Sequence, residues 1–484
     1  MLIEHLVIGT GFSGLAMAHA LQQDGTASIA IIDRAAEPGG VWLHNRYPGC
    51  SCDVPSYLYA LEGMPAYAWT RRFPKREEIL DYIQTGFQQS GLDRHLHLNT
   101  NLRKLIWLED EERWQASCDN GQIFKARFVY AATGQMPRPT MPDIPGLDGF
   151  DGLLFHSSDW PSDLDLSGKR VGVIGTGASG VQMVSGIAQQ ASQLCVFQRN
   201  APYMFPRKDR EFYFWERYLL SSSALWRKLY TSFLYWKHEL NGIAYFNFQS
   251  LLGVVRYNTL RQVRRYLPDE QTRMGATPNY QPGCKRVLVN DDYYPTFTQP
   301  HVELQTSAIA TIERDEVVCA DGSRRKLDIL VLATGFDGTR PMPGIEVYGR
   351  DGLSLHGNWD QEGVQAYYGT QVSCFPNLFM LIGPNVGLAH NSVLYMMESQ
   401  VRFIRKVVAW AIETGSVAEV RPCAQERFNL RLRRLMAGTR WQTGGCVSWY
   451  HDRKMQNVGL WPTYTFRFRS ELKGDSTRSQ IGAR

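Results

Sequence analysis

The chain has 484 residues, 44% of them hydrophobic and 20% charged, and a formal net charge of +5. That length exceeds one ordinary core and implies two or three domains of globular composition. The mild charge excludes a nucleic-acid footprint, which needs a dense basic patch, and anionic cofactors account for it more economically. Nine scattered cysteines without a repeated paired spacing imply free thiols in a reducing compartment. Cys50-x-Cys52 lacks a second ligand pair, so no metal site is expected. The first strand starts next to Met1, which leaves no room for a signal peptide, and no apolar run reaches membrane-spanning length. A cytoplasmic protein with neither nucleic-acid nor membrane partner is expected.

Leu6 to Ile8 is a short apolar strand entering the glycine turn GTGFSG, and the helical pattern AMAHAL follows. Gly9 permits the tight turn, Gly11 lets backbone approach a pyrophosphate, and Gly14 lets helix pack on strand. The next strand, IAIID, ends in Asp33, where a carboxylate accepts hydrogen bonds from ribose hydroxyls. A site this near the N-terminus is similar to the FAD half of two-dinucleotide flavoproteins. Residues 39–53, GGVWLHNRYPGCSCD, contain a good turn at Tyr47-Pro48-Gly49, and Asp53 after it suits a cap or surface acceptor as well as a site. From Pro74 a helical pattern leads into alternating strands, closed by Ala131-Ala132-Thr133-Gly134, whose end brings backbone near a cofactor. The Pro- and Gly-rich stretch PRPTMPDIPGLDGF is a linker.

Val171 to Ile174 is a strand that opens into a second turn, GTGASG, with Gly175, Gly177 and Gly180. The following strand ends in Gln198-Arg199 where the first unit has Asp33. An arginine suits a 2′-phosphate, so NADPH is expected in preference to NADH. Two dinucleotide sites imply electron transfer between two cofactors.

Between the two turns lies FDGLLFHSSDWP, with Phe150, Gly152, His156, Trp160 and Pro161 at the spacing F-x-G-x-x-x-H-x-x-x-W-P. Here the sequence resembles the Baeyer–Villiger monooxygenases, flavin enzymes that insert one oxygen atom of O2 beside a ketone carbonyl. Relatives that oxygenate nitrogen or sulfur usually carry another aromatic where Trp160 stands and lack the proline. Residues 39–53 fit the same family's G-G-x-W-x-x-x-x-Y-P-G-x-x-x-D, as do GCKRVLVNDDYYPTF from residue 283 and GGCVSWYHDRKMQNVGLWP near the end. The resemblance covers nearly the whole chain. One departure stands out: Met455-Gln456 occupies the place where the family commonly has a glycine and a basic residue before Asn457.

The resemblance implies FAD held by Gly9, Gly11, Gly14, Asp33, Gly40, Trp42, Thr133, Gly134, Asn385 and Gly387. It implies NADPH held by Gly175, Gly177, Gly180 and Arg199, with Lys285 a second charge on the 2′-phosphate and Trp449 over the nicotinamide or substrate. Arg286 is implied as the catalytic cation, oriented by Asp53 beside the flavin. A guanidinium keeps its charge at any working pH and so stabilises negative oxygen. In the implied reaction NADPH reduces FAD, O2 forms a C4a-peroxyflavin, and a Criegee-type adduct with a ketone rearranges to an ester or lactone. His156 is expected to couple NADPH binding to domain position.

The expected architecture is α/β, with two Rossmann-like dinucleotide-binding domains and a helical insertion. Residues 1–149 form the first part of the FAD domain. Residues 150–330 form the NADPH domain, with the insertion at about 206–282. Residues 331–469 complete the FAD domain and carry an active-site loop, and a disordered tail follows from Ser470. The stretch LDILVLATGFD at 327–337 reads as the return to the FAD domain. The aromatic stripe of the insertion reads as core, with a wall of the substrate cavity as another role. Competing classes are an N- or S-oxygenating flavin monooxygenase and an NADPH-binding redox sensor. A disulfide reductase would need a C-x-x-C or C-x-x-x-x-C pair, and none is present.

Overall fold

The computed structural model describes residues 1–26, 28–135, 138–446, 448–452, 454–474 and 481–482. Two sheets dominate it. The first contains β1 (Leu2–Ile8), β2 (Ile29–Ile32), β3 (Leu96–His97), β4 (Leu102–Leu108), β5 (Arg113–Cys118) and β6 (Ile123–Ala131). It runs β3-β2-β1-β6-β5-β4 and ends on Glu346–Tyr348. β2 is apolar and buried along its length, and β1 is buried from His5 to Ile8, as parallel strands covered on both faces must be. The sheet branches at β6. Its first half pairs antiparallel with β5, and its last residues pair parallel with Leu378–Met380. The β4–β5 hairpin shows buried and exposed residues in alternation, the period of a strand with one wet face.

The helices α1 (Phe12–Gln23), α2 (Val41–His44) and α3 (Arg76–Gln89) belong to this first unit, in which α1 packs on β1 and β2. The chain leaves it through β7 (Arg138–Pro139) and enters the second sheet at β8 (Leu153–His156). β9 (Arg170–Ile174), helix α4 (Ala178–Ala188) and β10 (Gln193–Phe197) follow. Five parallel strands complete this sheet in the order Val302–Gln305, β10, β9, Ile329–Leu332, β8. Residues 327–337 were expected to re-enter the FAD unit. Instead Ile329–Leu332 pairs with both β8 and β9, so the chain leaves the second sheet after Leu332 and the expected boundary at 330 falls inside a strand. The outgoing strand Phe336–Asp337 then pairs antiparallel with β7. The two passages between the sheets therefore form one ribbon.

The insertion is helical: α5 (Phe214–Ser222), α6 (Ala224–Phe246) and α7 (Gly253–Tyr266). Its aromatic stripe, expected to be core, is not. Phe214, Trp226, Phe233 and Trp236 are exposed, because α6 buries only the face bearing Leu234, Glu239, Gly242 and Tyr245. The tail also departs from expectation. Helix Thr465–Lys473 runs through Ser470, anchored by buried Phe468 and Leu472. Ile481–Gly482 pairs with Glu419–Val420, with Ile481 buried. Residues 475–480, 483 and 484 of that tail lie outside the described residues.

Glu239 fastens α6 to the first unit. Its carboxylate is 2% exposed and accepts from Asn391 Nδ2 at 2.5 Å, Thr465 N at 2.7 Å and Thr465 Oγ1 at 2.8 Å, with His390 Nε2 at 3.5 Å. Burial alone would raise its pKa. The neighbouring His390 and the hydrogen bonds from Asn391 and Thr465 outweigh burial and hold it below the usual 4.5. Because the unfolded carboxyl binds its proton first as pH falls, the stabilisation is complete above 4.5 and disappears below it. Glu239→Ala, which leaves these donors buried and unpaired, is expected to cost about 3 kcal/mol by urea unfolding at neutral pH. The deficit should shrink as the measurement moves to acid; an unchanged midpoint at neutral pH would contradict this role.

Candidate active site

The two glycine turns repeat one geometry. A β-carbon at Gly9 (φ +112°) would stand 2.4 Å from the carbonyl oxygen of Ala132, and one at Gly175 (φ +113°) 2.4 Å from that of Ala333. A β-carbon at Gly14 would lie 1.9 Å from Gly9 O, and one at Gly180 2.2 Å from Gly175 O. Only glycine permits these approaches. Gly11 and Gly177 precede α1 and α4 as N-caps, so each helix opens toward the turn with backbone N–H groups free for phosphate. Gly11 touches Gly40, while the space beside Gly177 is open. Thr133-Gly134 follows Ala132 just as Thr334-Gly335 follows Ala333, and the Gly134 side is open.

Asp33 serves the turn itself. Its Oδ2 accepts from Thr10 N and Thr10 Oγ1, both at 2.7 Å, and Oδ1 accepts from Ala35 N at 2.9 Å. Trp42 is buried and stands edge-on to Tyr59 at 5.9 Å. In the second unit Arg199 is exposed just beyond β10, and Lys285 is half-buried over the Tyr280 ring. Burial, and then the charge of Arg199, push the Lys285 pKa down. Two cations held together in this way form a site for an anion.

The fingerprint residues cluster where the chain crosses between units. Gly152 makes room: a β-carbon there would meet Asp328 O at 2.5 Å and the Phe150 ring at 2.7 Å. His156 ends β8 and is 3% exposed. Its Nε2 lies 3.1 Å from Gly335 O, and Ser158 N donates to Nδ1 at 3.2 Å. The carbonyl must accept and the amide must donate, so the ring is the neutral Nε2–H tautomer. Burial lowers its pKa against the opposing effects of the Gly335 carbonyl and Asp159. Trp160 packs edge-on against Phe155 at 5.3 Å, and Pro161 follows it.

Arg286 and Asp53 come together across 233 residues of sequence, with Arg286 Nη2 donating to Asp53 Oδ2 at 3.1 Å. The Asp53 side chain is 11% exposed and that of Arg286 41%, so the carboxylate is enclosed while the guanidinium keeps an open side. Local desolvation opposes the charge, but Asp53 outweighs it and raises the Arg286 pKa. The neighbouring Cys50 and Cys52 thiols are pushed up to about 12 by burial, which leaves them inert as nucleophiles.

Gln182 of α4 was not singled out in the sequence. Its Nε2 donates to Asp53 Oδ1 at 3.2 Å and to Ser51 O at 3.0 Å, while its Oε1 accepts from Tyr47 OH at 3.0 Å. It fixes the carboxylate that meets Arg286. A glutamine inside a helix carries no sequence signal for this. Asn385 and Gly387, implied as flavin contacts, hold the terminal segment: Asn385 Nδ2 donates to Asn457 O and Leu460 O, and Gly387 N to Gly459 O. Trp449 is half-buried against Gly338 and Tyr450, with its ring 3.0 Å from where a β-carbon at Gly338 would stand.

Among the comparisons, the profile of the flavin-binding monooxygenase-like family matches residues 4–344. A Baeyer–Villiger monooxygenase of Pseudomonas aeruginosa is 37% identical over 466 residues, 96% of this chain and 88% of that one. The chain belongs to this family, among its Baeyer–Villiger monooxygenases. A cyclohexanone monooxygenase from Rhodococcus sp. Phi1, solved bound to NADP+, superposes with a TM-score of 0.88 at 26% identity, covering 100% of this chain and 99% of that one. OTEMO in complex with FAD and NADP gives 0.90 at 25% identity, with coverage of 100% and 99%. The enzyme is an FAD-dependent monooxygenase that draws on NADPH. Its residues fit both groups: two glycine cradles that a β-carbon would fill, and a pair of cations in the second unit for the extra phosphate.

Membership of the flavin-binding monooxygenase-like family did not prepare for one covalent feature. Cys284 and Cys446 form a disulfide, with Cα atoms 6.1 Å apart and 162 residues between them in sequence. This corrects the expectation that every thiol is free. The fold closes a distance that spacing conceals, and a β-carbon at Gly444 would stand 2.6 Å from Cys284 Cβ. The bridge ties the Lys285-Arg286 segment to the Trp449 loop.

Thiol titration of the denatured protein should find seven free cysteines before reduction and all nine afterwards; nine before reduction would show an open pair. In the cofactor site, Arg199→Ala and Lys285→Ala should each raise the NADPH Kd by roughly 10-fold while changing NADH binding little. The contribution of Lys285 should also fade at a lower pH than for an ordinary lysine, because its ammonium loses its proton earlier. Equal losses for NADH and NADPH would remove these residues from the phosphate site.

Proposed function

We propose that the enzyme oxidises a ketone to an ester or lactone, with Arg286 as the catalytic cation and Asp53 as its positioning carboxylate. The observation that carries this reading is the 3.1 Å contact between an enclosed carboxylate and a guanidinium open on one side. FAD, reduced by NADPH, supplies the activated oxygen in this chemistry. Attack at a carbonyl carbon places negative charge on the carbonyl oxygen, and the open Arg286 N–H groups are donors for it. Arginine suits the task because it cannot pass its own proton to an oxygen anion at working pH.

Asp53 and Gln182 set where that charge points. With Oδ1 held by Gln182 and Oδ2 by Arg286, the carboxylate cannot swing and the guanidinium plane is fixed. The tyrosines beside it, Tyr245 and Tyr450, are buried and exclude water from one side. Neutral His156 acts in this reading through Gly335 and does not exchange a proton with substrate. O2 and a small-molecule ketone are the partners this reading requires.

Arg286→Ala should keep FAD bound and continue to oxidise NADPH, while ester or lactone formation falls about 10²–10³-fold and hydrogen peroxide takes its place. Asp53→Asn, which keeps the shape but removes the charge, should fall less and retain some coupling. Product analysis over a ketone panel with parallel peroxide assay reads both. An Arg286→Ala enzyme that still forms ester at the wild-type rate would overturn the assignment, as would a protein that oxidises amines or sulfides and no ketone.

A further inference from the structure

Helix α6 carries a second surface that the oxygenation chemistry does not use. Trp226, Leu229, Phe233, Trp236 and Leu240 recur at helical spacing along its outer side and are 54%, 52%, 61%, 53% and 61% exposed. The stripe continues onto Phe466, 6.2 Å from Trp236 and itself exposed. Exposed aromatics also occur on the adjoining helices, with Phe214 and Trp215 on α5 and Tyr257 on α7. An apolar face of this kind on a soluble helix marks an interaction site. The opposite face of the same helix is held in the protein by Glu239 and Tyr245, so α6 is fixed with its aromatic side outward.

Charge identifies what the face meets. From Phe214 to Tyr266 the chain has eight Lys and Arg against two Glu, a formal +6, when the whole chain is only +5. Neither glutamate is free on the surface. Glu216 is bound by Arg210 through two 2.7 Å contacts, and Glu239 is buried. Lys228 and Lys237 lie exposed on α6, and Arg261, Arg264 and Arg265 on α7. A second copy is a poor occupant, because a two-fold contact sets a surface against itself, and here like charges would face each other with no exposed carboxylate to pair them. Aliphatic Leu229 and Leu240 in the stripe do not suit nucleic acid, which asks for stacking rings in a basic groove. Tryptophan, phenylalanine and leucine flanked by lysine and arginine form the pattern of a helix that lies in a bilayer interface.

We propose that α6, with the basic surface of α5 and α7, docks the enzyme on an anionic lipid bilayer. The helices lie on the surface; among the described residues no helix is long and apolar enough to cross a membrane. A peripheral attachment needs no spanning run, so the lack of one, on which the expectation of no membrane partner rested, does not bear on it. Aromatic and leucine side chains enter the acyl boundary, and the lysines and arginines meet lipid phosphates. Tyr245, on the inner face near the end of the docked helix, packs 3.3 Å from where a β-carbon at Gly283 would stand, three residues from Arg286, so the docked helix is in contact with the segment that carries Arg286.

The test is sedimentation of the FAD-loaded enzyme with vesicles of phosphatidylcholine alone and of phosphatidylcholine mixed with phosphatidylglycerol. Binding is expected to the mixed vesicles, weakened by salt, and little to the neutral ones. The variant Trp226→Ser/Phe233→Ser/Trp236→Ser should lose vesicle binding and keep FAD absorbance and NADPH oxidation. Lys228→Glu/Lys237→Glu should bind at least ~10-fold more weakly. Absence of binding to the mixed vesicles would overturn the proposal, and so would undiminished binding by the serine variant. A wild-type dimer that the serine variant dissolves into monomers would assign the face to a second copy and equally overturn it.

Discussion

The Tyr47-Pro48-Gly49 turn lies so close on α4 that a β-carbon at Gly49 would stand 2.5 Å from the Gln182 carbonyl oxygen, and one at Gly186 2.7 Å from Pro48. Backbone meets backbone there, across the boundary between the two nucleotide-binding sheets. The contact leaves no freedom of register: α4 opens at the second glycine turn, so the helix of that turn is also the one gripped by the first unit. Gln182 then uses the same contact to hold Asp53, and Asp53 holds Arg286. The placement of the proposed catalytic cation, Arg286, thus depends on a steric fit between a turn and a helix, made possible by two glycines.

The passages between the units converge in a second place. β7 pairs with Phe336–Asp337, His156 is bound to Gly335 O, and Trp449 rests on Gly338. Three motifs distant in sequence therefore meet on one short ribbon. Disulfide Cys284–Cys446 reaches the same loop from the Arg286 side, so the loop is joined both to the crossing and to the Arg286 segment.

What was legible in the sequence was what the backbone decides locally. Gly9, Gly14, Gly175 and Gly180 could be assigned because each role is set within one strand-turn-helix unit, and the structure gives each the close approach that excludes a side chain. Asp53 and Arg286 were found through resemblance, since nothing in spacing predicts that residues 233 apart will touch. Gln182, Glu239 and the cysteine pair escaped because they act only after the chain has folded. The return of the chain at 327–337 was misplaced for a different reason: Ala-Thr-Gly occurs at the end of the corresponding strand in both units, and the two copies look alike until strand pairing distinguishes them. The stripe of α6 misled because amphipathic spacing does not say which side is buried. Leu234, Glu239 and Tyr245 take that role, and one is a carboxylate that a core search would discard.

The departure from the family at Met455-Gln456 has a physical meaning in the fold. Met455 has φ +58°, the left-handed region that costs an L-residue about 1–2 kcal/mol and that glycine enters freely. The turn holds this conformation through Asp452, whose Oδ1 accepts from the N–H groups of Lys454 and Gln456, both at 2.9 Å. Gln442 Nε2 adds a bond to Met455 O at 3.1 Å. The substitution therefore leaves the path of the chain as it is and raises its local energy. The loop of Trp449 is thus tied at one side by the Cys284–Cys446 bridge and at the other by a turn whose conformation glycine would adopt without this cost.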